Sequence, residues 1–383
     1  MHSLTVKIKR PDALSASETA AWVRIRESNP ALYSPYFHPD YTQALGRLRN
    51  DAQVIIAYDG EKPVAFLPLQ GSGKFTAPLG APMTDYHGFI CAPENETNVD
   101  FEAVLKQAGV GAFHFSAMVN SPLARNHGLN TQEAAVIHMP EGGQAWRDLQ
   151  DSSYRRSLKS LRRRIRNSEA DHGERRFVYR SDDRALFDTL IEWKRKKFEE
   201  TGKYDVLCAD WTLPLLTQLW ESGINKDPNS SALRCDMHAL YFGDRLAAID
   251  LGLSDGSTFH SWIVAYDSDL STHAPGIQLL EGVIDESEVL GYSRLDLGAG
   301  LEGYKRYYAT ENVHVHGGFV AVRGPAAALS TLYGAAEKFG QKTMADIPGK
   351  LRRRYSQIAA CDNTVSGRTR AMIEAVKTTR SAS

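Results

Sequence analysis

The sequence predicts an α+β protein built from two similar units that each contain an antiparallel sheet. With 383 residues, the chain is too long for one ordinary domain and long enough for two units of about 150 residues. Apolar runs flank an Asp-Gly pair at 59–60 and a Gly-Asp pair at 243–244, which indicates a hairpin at each place. Because both hairpins alternate with helical segments, the pattern favours an α+β fold over a doubly wound parallel sheet.

Local signals predict the elements of the first unit. Ser15 or Ser17 precedes a helical stretch, and Glu18 falls in its first turn, which is typical of a helix N-terminus. Asn29 and Pro30 end this helix. The predicted elements are a strand at 6–9, helices at 16–26 and 39–48, a hairpin at 53–70, a Gly- and Pro-rich loop at 71–85, and strands at 111–118 and 134–139.

The second unit follows a strongly basic helix. Residues 153–167 read SYRRSLKSLRRRIRN, with seven basic residues and no acidic one. Leu158, Leu161 and Ile165 recur at helical spacing, so the helix is amphipathic. After it we predict a strand at 177–180, helices at 183–201 and 213–220, strands at 235–242, 245–253 and 258–265, a helix opening at 275, a strand at 294–297 and a helix at 304–308.

This organisation predicts four regions. They are an N-terminal domain at 1–145, a basic linker helix at 146–172, a C-terminal catalytic domain at 173–325, and a helical and basic tail at 326–383.

Composition narrows the function classes. Lys and Arg number 45 against 46 Asp and Glu, a balance that argues against a general DNA or RNA binder. The four cysteines are far apart and form no C-x-x-C pair, so neither a zinc site nor a disulfide framework is expected. No apolar run is long enough for a membrane span, and the first residues lack a secretory pattern. We therefore expect a cytoplasmic protein, with peripheral attachment to the inner membrane left open.

The stretch from residue 258 to residue 308 carries a family resemblance. It is similar to the CelD/BcsL-like acetyltransferases, a branch of the GNAT superfamily associated with bacterial exopolysaccharide synthesis, including holdfast-type polymers. One departure is Tyr307, where the family often has tryptophan. The matching residues are Ala265-Tyr266-Asp267, Ala274-Pro275-Gly276, Asp296-Leu297-Gly298, Gly300, Glu302 and Tyr304-Lys305, together with a basic helix at 154–166 and Trp193-Lys194.

The resemblance implies two tandem GNAT-like domains with mixed, mostly antiparallel sheets, and acetyl-CoA as acyl donor without a metal. A helix that opens at Pro275-Gly276 can hold the donor's pyrophosphate on its free N–H groups. The implied reaction is N- or O-acetylation of a sugar, free or linked to a lipid or nucleotide. The donor-binding candidates are Pro275, Gly276, Ile277, Gln278 and Lys305.

Acyl transfer needs a base for the acceptor and an acid for the leaving thiolate. Tyr304 matches the acid of the family, while Asp250, His260 and Asp296 are candidates for the base. Asp250 lies mid-strand among apolar residues. A carboxylate that points inward there costs free energy, which a functional role would explain. The acceptor-binding candidates are Arg155, Lys159, Arg162, Arg166, Trp193, Lys194, Tyr266, Asp267 and Glu302.

Two other functions stay open at this point. A FemAB-like aminoacyl transferase would share the doubled fold but take aminoacyl-tRNA as donor. A non-catalytic, nucleotide-responsive regulatory protein would keep the fold without turnover. In the tail, Arg352, Arg353, Arg354 and Tyr355 place three guanidinium groups beside one ring, a set suited to cyclic di-GMP.

Two local motifs are discounted. Gly298, Gly300 and Gly303 spell a dinucleotide fingerprint, but no acidic residue follows at the expected distance and the preceding chain is a hairpin region. His314 and His316 would share a strand face, but no third metal ligand lies near them in the sequence.

Overall fold

The computed structural model describes residues 4–119, 121–227 and 230–343, together with residues 355, 358 and 359. The strands are β1 (Thr5–Lys9), β2 (Ala52–Asp59), β3 (Lys62–Ser72), β4 (Phe75–Pro78), β5 (Ile90–Cys91), β6 (Ala112–Val119), β7 (Gly128–His138), β8 (Arg175–Val178), β9 (Arg234–Phe242), β10 (Arg245–Ser254), β11 (Thr258–Tyr266), β12 (Arg294–Ala299) and β13 (Glu311–Ala321). The helices are α1 (Ala16–Ser28), α2 (Pro39–Leu48), α3 (Phe101–Gln107), α4 (Pro122–His127), α5 (Gly142–Asp148), α6 (Ser152–His172), α7 (Arg184–Glu200), α8 (Thr212–Ile224), α9 (Pro275–Asp285), α10 (Ser287–Leu290), α11 (Lys305–Tyr308) and α12 (Gly324–Thr343). Within these described ranges, no helix is both long and apolar enough to cross a bilayer.

Local capping chemistry sets the helix starts that the sequence predicted. The Ser15 hydroxyl accepts the N–H of Glu18, while the Glu18 carboxylate accepts the N–H of Ser15, so α1 opens on a capping box. Asp151 accepts the N–H groups of Ser153 and Tyr154 at 2.8 and 2.9 Å, which starts α6. The predicted basic helix is thus confirmed, and it runs for 21 residues.

The prediction of a loop at 71–85 is wrong in part. Residues 75–78 form β4, which pairs with β3 on one side and runs parallel to β6 on the other. The Thr76 hydroxyl also donates to the main-chain oxygen of Ala112. Pairing with two neighbouring strands therefore overrides the turn-like Gly and Pro composition of the segment.

The described chain divides into two compact units whose sheets share the same pattern of parallel and antiparallel neighbours. Unit 1 comprises residues 1–132, 204–215 and 314 onward, and unit 2 comprises 133–203 and 216–313. In unit 1 the strand order is β1-β2-β3-β4-β6-β13, with β5 beside β3; in unit 2 it is β8-β9-β10-β11-β12-β7. Along each path every neighbouring pair is antiparallel except the fourth, which is β4/β6 in unit 1 and β11/β12 in unit 2.

The two units are interleaved along the chain, a feature absent from the linear boundaries at 145 and 325 that the sequence suggested. Unit 2 takes its last strand, β7, from residues that precede its other strands, and unit 1 takes β13 from residues that follow them. The basic helix α6 lies inside unit 2. Strand exchange of this kind leaves no compositional mark, because each strand keeps an ordinary apolar pattern.

A buried polar cluster anchors α6 inside unit 2. The Glu281 carboxylate on α9 is almost fully buried and accepts hydrogen bonds from Tyr308 at 2.7 Å and Tyr154 at 3.1 Å. The Arg147 guanidinium completes the cluster with a 2.7 Å ion pair to the same carboxylate. Since a buried carboxylate is stable only when its oxygens are bonded, this cluster fixes the first turn of α6 against α9 and α11. The cations of α6 are thereby turned outward.

Candidate active site

The N-terminus of α9 carries no side-chain cap. Its N-cap residue, Ala274, adopts a left-handed conformation with φ of 55°, and its methyl group cannot accept a hydrogen bond. Ile277 and Gln278 donate their N–H groups to the oxygen of Ala274, and Pro275 has no N–H. The first turn thus offers the N–H of Gly276, together with the positive end of the helix dipole, to an incoming anion.

Space is available beside Gly276. A methyl group placed there would lie 3.8 Å from the ring of Tyr266, an ordinary contact distance, and Tyr266 itself is 40% exposed. The helix start therefore opens toward the end of β11, where a phosphate group can approach the main chain.

The corresponding place in unit 1 is built differently. There the helix between the two parallel strands is α3, which has seven residues, compared with eleven in α9. Its N-cap is Asp100, whose carboxylate accepts the N–H of Ala103 at 3.0 Å. A carboxylate at the helix start occupies the free N–H groups and repels a phosphate. These features favour unit 2 as the donor-binding unit.

Asp250 is the most perturbed acid of the candidate site. It lies on β10 and is 7% exposed, and the Ser261 hydroxyl donates to both of its oxygens, at 3.0 and 2.8 Å. Burial raises the pKa of Asp250 from 3.8 to about 7, against the lowering effects of the Ser261 hydrogen bond and of the charges of Lys194 and His260. A carboxyl group with a pKa near neutrality is suited to general base catalysis.

Tyr304 lies within electrostatic reach of Asp250. It stands immediately before α11, partly buried, and packs against Tyr308 with ring centroids 6.0 Å apart. Burial, and then the charge of Asp250, raise the pKa of Tyr304 to about 12. The hydroxyl therefore keeps its proton throughout the neutral range and can donate it to a developing anion.

His260 and Asp296 form a second pair, which lies deeper in the sheet. They face each other across the parallel strands β11 and β12, with His260 Nδ1 and Asp296 Oδ2 3.5 Å apart and both side chains fully buried. Asp296 Oδ1 also accepts the N–H of Gly298 at 2.8 Å. Neither side chain reaches solvent; His260 affects the pKa of Asp250 through its charge, and Asp296 holds the main chain at Gly298.

The other donor-binding candidates are mostly engaged within the protein. The Gln278 side chain is fully buried and donates to the Ser168 hydroxyl and to the His273 oxygen. The Lys305 ammonium donates to the oxygen of Leu297 at 2.6 Å. These two side chains hold the ends of α9 and β12 in place.

Among the acceptor candidates, those on α6 form one exposed strip. Arg155, Lys159, Arg162 and Arg166 are exposed and separated by three or four residues, so they share a face of the helix. Arg156 and Arg163 flank this strip. None of these six cations forms an ion pair with any acidic side chain in the part of the chain that the structure describes.

The remaining acceptor candidates lie around β11 and the turns that follow it. Lys194 donates to the oxygen of Val264 at 3.2 Å, and its neighbour on α7, Trp193, is partly buried. Asp267 accepts two bonds from Arg245 and one from the N–H of Asp269, which ties it to the turn after β11. Glu302, by contrast, is exposed in the loop before α11.

Sequence reasoning missed one residue of the site, Ser261. A signal was present, since Ser261 and Asp250 lie at similar distances on either side of the turn at Asp255-Gly256. A register shift between Leu251 and Gly252 makes their contact diagonal rather than directly cross-strand. The tail candidates Arg352, Arg353 and Arg354 lie outside the described residues, and their neighbour Tyr355 is described only as a single exposed helical residue.

Comparison with known proteins gives a family match for part of the chain. Residues 153–306 match the family model for the acetyltransferase (GNAT) domain, so this part of the chain is similar to GNAT acyltransferase domains. It contains the uncapped start of α9, Asp250, Ser261 and Tyr304. No curated protein sequence matches the chain.

Solved structures extend the likeness to most of the chain. FemX is 10% identical with a TM-score of 0.53, and the match covers 86% of this chain and 100% of FemX. A tandem GNAT protein from the clavulanic acid biosynthesis pathway is 9% identical with a TM-score of 0.47, covering 84% and 99%. The C-terminal domain of a putative lysylphosphatidylglycerol synthetase from Agrobacterium fabrum is 13% identical with a TM-score of 0.46, covering 84% and 96%. The predicted α+β fold of two GNAT-like units is confirmed by the family match, by the strand order and by the likeness to FemX.

Proposed function

We propose that the protein is an acyl-CoA-dependent acetyltransferase whose reaction takes place in unit 2. The observation that carries this proposal is the combination of a buried Asp250 with a pKa near 7 and an uncapped helix start after the neighbouring strand. The GNAT match over residues 153–306 supports the same part of the chain. Acetyl-CoA supplies the activated acyl group and a pyrophosphate that suits the N–H of Gly276.

The side chains of the site divide the proton transfers between them. Asp250 takes the proton from the acceptor amine or hydroxyl as that group attacks the acyl carbon. Ser261 holds the carboxylate in position with its two-oxygen contact. Tyr304 donates its hydroxyl proton to the leaving thiolate, and the pKa of about 12 ensures that this proton is present. His260 and Lys194 favour the ionised form of Asp250 through their charges.

For the acceptor we propose a sugar or a lipid- or nucleotide-linked sugar of exopolysaccharide biosynthesis. The resemblance to the CelD/BcsL-like family supports the sugar. The exposed cations of α6 support an acceptor that carries negative charge, because guanidinium groups bind phosphates in a bidentate manner. Tyr266 at the end of β11 and Glu302 in the loop before α11 are both exposed and available to bind hydroxyl groups.

Calorimetry and turnover assays test the proposal directly. We expect the full chain to bind acetyl-CoA with a micromolar Kd and to transfer the acetyl group to at least one sugar in a mass-spectrometric screen of nucleotide- and lipid-linked sugars. Aminoacyl-tRNA serves as the competing donor. Binding and turnover with aminoacyl-tRNA but not with acetyl-CoA would establish the FemAB-like alternative, while acetyl-CoA binding without turnover on any acceptor would favour the regulatory one.

A further inference from the structure

Three potential metal ligands meet where α6 ends and the turn before α9 begins. Asp171 and His172 are the last two residues of α6, and His273 is the last residue of the short 3-10 helix Ser268–His273. One ligand atom from each of these three side chains lies within 4.8 Å of the other two. The cluster lies entirely in unit 2 and is separate from Asp250 and Tyr304 in the proposed mechanism.

The surrounding chain holds the two imidazole rings in fixed orientations. The ring of His172 stacks on the buried ring of Phe242, and the ring of His273 stands nearly perpendicular to both. The end of α6 is fixed in turn by Gly173, whose φ of 101° terminates the helix, and by Gly243, which donates its N–H to the oxygen of Glu174. Little reorganisation is therefore needed to bring three ligands to one ion.

The distances fit a shared ion better than a direct hydrogen bond. Nε2 of His273 and Oδ2 of Asp171 are 3.7 Å apart, beyond the range of an N–H···O hydrogen bond. Two ligands at about 2.1 Å from one tetrahedral ion lie about 3.4 Å apart, so a small closure would seat a metal between them. The carbonyl end of the long helix α6 also presents a partial negative charge that stabilises a cation.

We propose that Asp171, His172 and His273 form a binding site for a divalent transition-metal ion, with Zn²⁺ as the best match. Two imidazole nitrogens and one carboxylate oxygen suit this ion, and a water molecule completes a tetrahedral set. The sequence suggested no metal, because the three residues form no recognised spacing and one of them lies a hundred positions from the other two.

A bound ion would cross-link α6 to the turn that leads into α9. That turn includes Ala274 in its left-handed conformation, and it is already held by bonds from Arg164 to the Thr272 oxygen and from Gln278 to the His273 oxygen. The role we assign to the metal is structural, since it would stabilise the backbone next to the proposed donor site without touching the reacting atoms.

Titration of the metal-free full chain with ZnCl₂ tests this site, with competition against a chromophoric chelator as the readout. We expect one ion per chain in the wild type and an increase in the melting temperature on adding Zn²⁺. His273→Ala and His172→Ala should each weaken binding by about tenfold or more, since each removes a ligand. His138→Ala is the matched control, because His138 is partly exposed and its partner is Glu311.

Asp171→Asn provides a second test that does not depend on the histidine variants folding, since the Asp171 side chain is 60% exposed. It should weaken Zn²⁺ binding while leaving the melting temperature of the metal-free protein unchanged. Substitution by Co²⁺ should give the intense visible absorption of a tetrahedral ion, and this signal should be lost in His273→Ala. Wild-type affinity in the histidine and Asp171 variants, or an equal loss in His138→Ala, would overturn the proposal, and neither result would bear on acetyl-CoA binding.

Discussion

The Ser261 hydroxyl bridges both oxygens of Asp250, at 3.0 and 2.8 Å, and so donates to a carboxyl group that burial pushes toward its neutral form. Burial raises the pKa of Asp250, and the hydrogen bond from Ser261 lowers it. The two opposing effects leave the pKa at about 7, the value that lets one carboxyl group both accept and release a proton at neutral pH. Ser261 is therefore a positioning residue that also lowers the pKa of the base, Asp250.

Ser261→Ala should shift the pH profile of the reaction. Without the hydroxyl, the pKa of Asp250 rises, so the limb of kcat/KM that reports deprotonation of the base should move to higher pH by up to about one unit. Activity should recover at high pH, because the base itself is intact. Measuring kcat/KM from acid to alkaline pH checks this, with Ser293→Ala, at the partly exposed residue immediately before β12, as the control. An unchanged pH profile would show that Ser261 does not affect the pKa of the base.

Asp250→Asn should stabilise the fold at alkaline pH while it abolishes most turnover. The carboxyl pKa is 3.8 in the unfolded chain and about 7 in the folded protein, so the stabilising effect of the neutral group is complete below pH 3.8 and is lost as the pH rises through 7. The loss has an upper bound of about 4 kcal/mol, from three pKa units at about 1.4 kcal/mol each. The melting temperature of the variant relative to wild type should therefore be higher at pH 8 than at pH 5. Equal differences at both pH values would contradict the raised pKa.

Tyr304→Phe should lower turnover by about 10- to 1000-fold with little change in acetyl-CoA affinity. The reason is that an acid acts on the leaving group in the transition state and contributes little to binding of the ground state. Steady-state kinetics together with calorimetry separates the two effects. Tyr307→Phe is the matched control, since the Tyr307 hydroxyl contacts Arg306 on the neighbouring position. Similar losses in the two variants would remove the special role of Tyr304.

Gly276→Glu should weaken acetyl-CoA binding more than Gly276→Gln does. The two side chains have nearly the same size, and the 3.8 Å clearance to Tyr266 leaves room for the first carbon of either one. Only glutamate adds a negative charge at the helix start, where it repels a pyrophosphate and occupies the positive end of the dipole. Calorimetry with both variants measures the difference. Equal affinities would place the pyrophosphate elsewhere.

Charge reversal on the exposed face of α6 should act on the acceptor and leave the donor alone. Arg162→Glu combined with Arg166→Glu should raise the KM for an anionic acceptor and make that KM less sensitive to salt. Replacing the same two residues by glutamine should give an intermediate effect, which controls for the lost side-chain length. Kinetics at low and high ionic strength provide the measurement. An unchanged salt dependence would show that this face of α6 contacts solvent and not the acceptor.

Much of the fold could be predicted because local chemistry encodes it. The two hairpins, the capped helix α1 and the basic helix α6 all followed from turn residues, caps and periodicity within a short window. β4 could not be predicted in this way, because its stability comes from pairing with β3 and β6 rather than from its own residues.

The site could be predicted only in part for a similar reason. Asp250 drew attention as a carboxylate among apolar residues, and the structure explains it through Ser261 and burial. By contrast, the grouping of Asp171 with His273 depends on how α6 ends against the turn before α9, which no spacing in the sequence expresses. Local patterns thus identified single unusual residues, whereas their partners required the folded chain.

The interleaving of the two units has a consequence for the order in which a ribosome delivers them. Strand β6 emerges early, yet its partner β13 is synthesised only after all the residues of unit 2 between 133 and 203 and between 216 and 310. Domains usually mature in the order of translation, but here the amino-terminal unit must wait for the rest of the nascent chain. Until β13 arrives, β6 presents an unpaired edge, so this protein is expected to depend on chaperones or slow release late in its own synthesis.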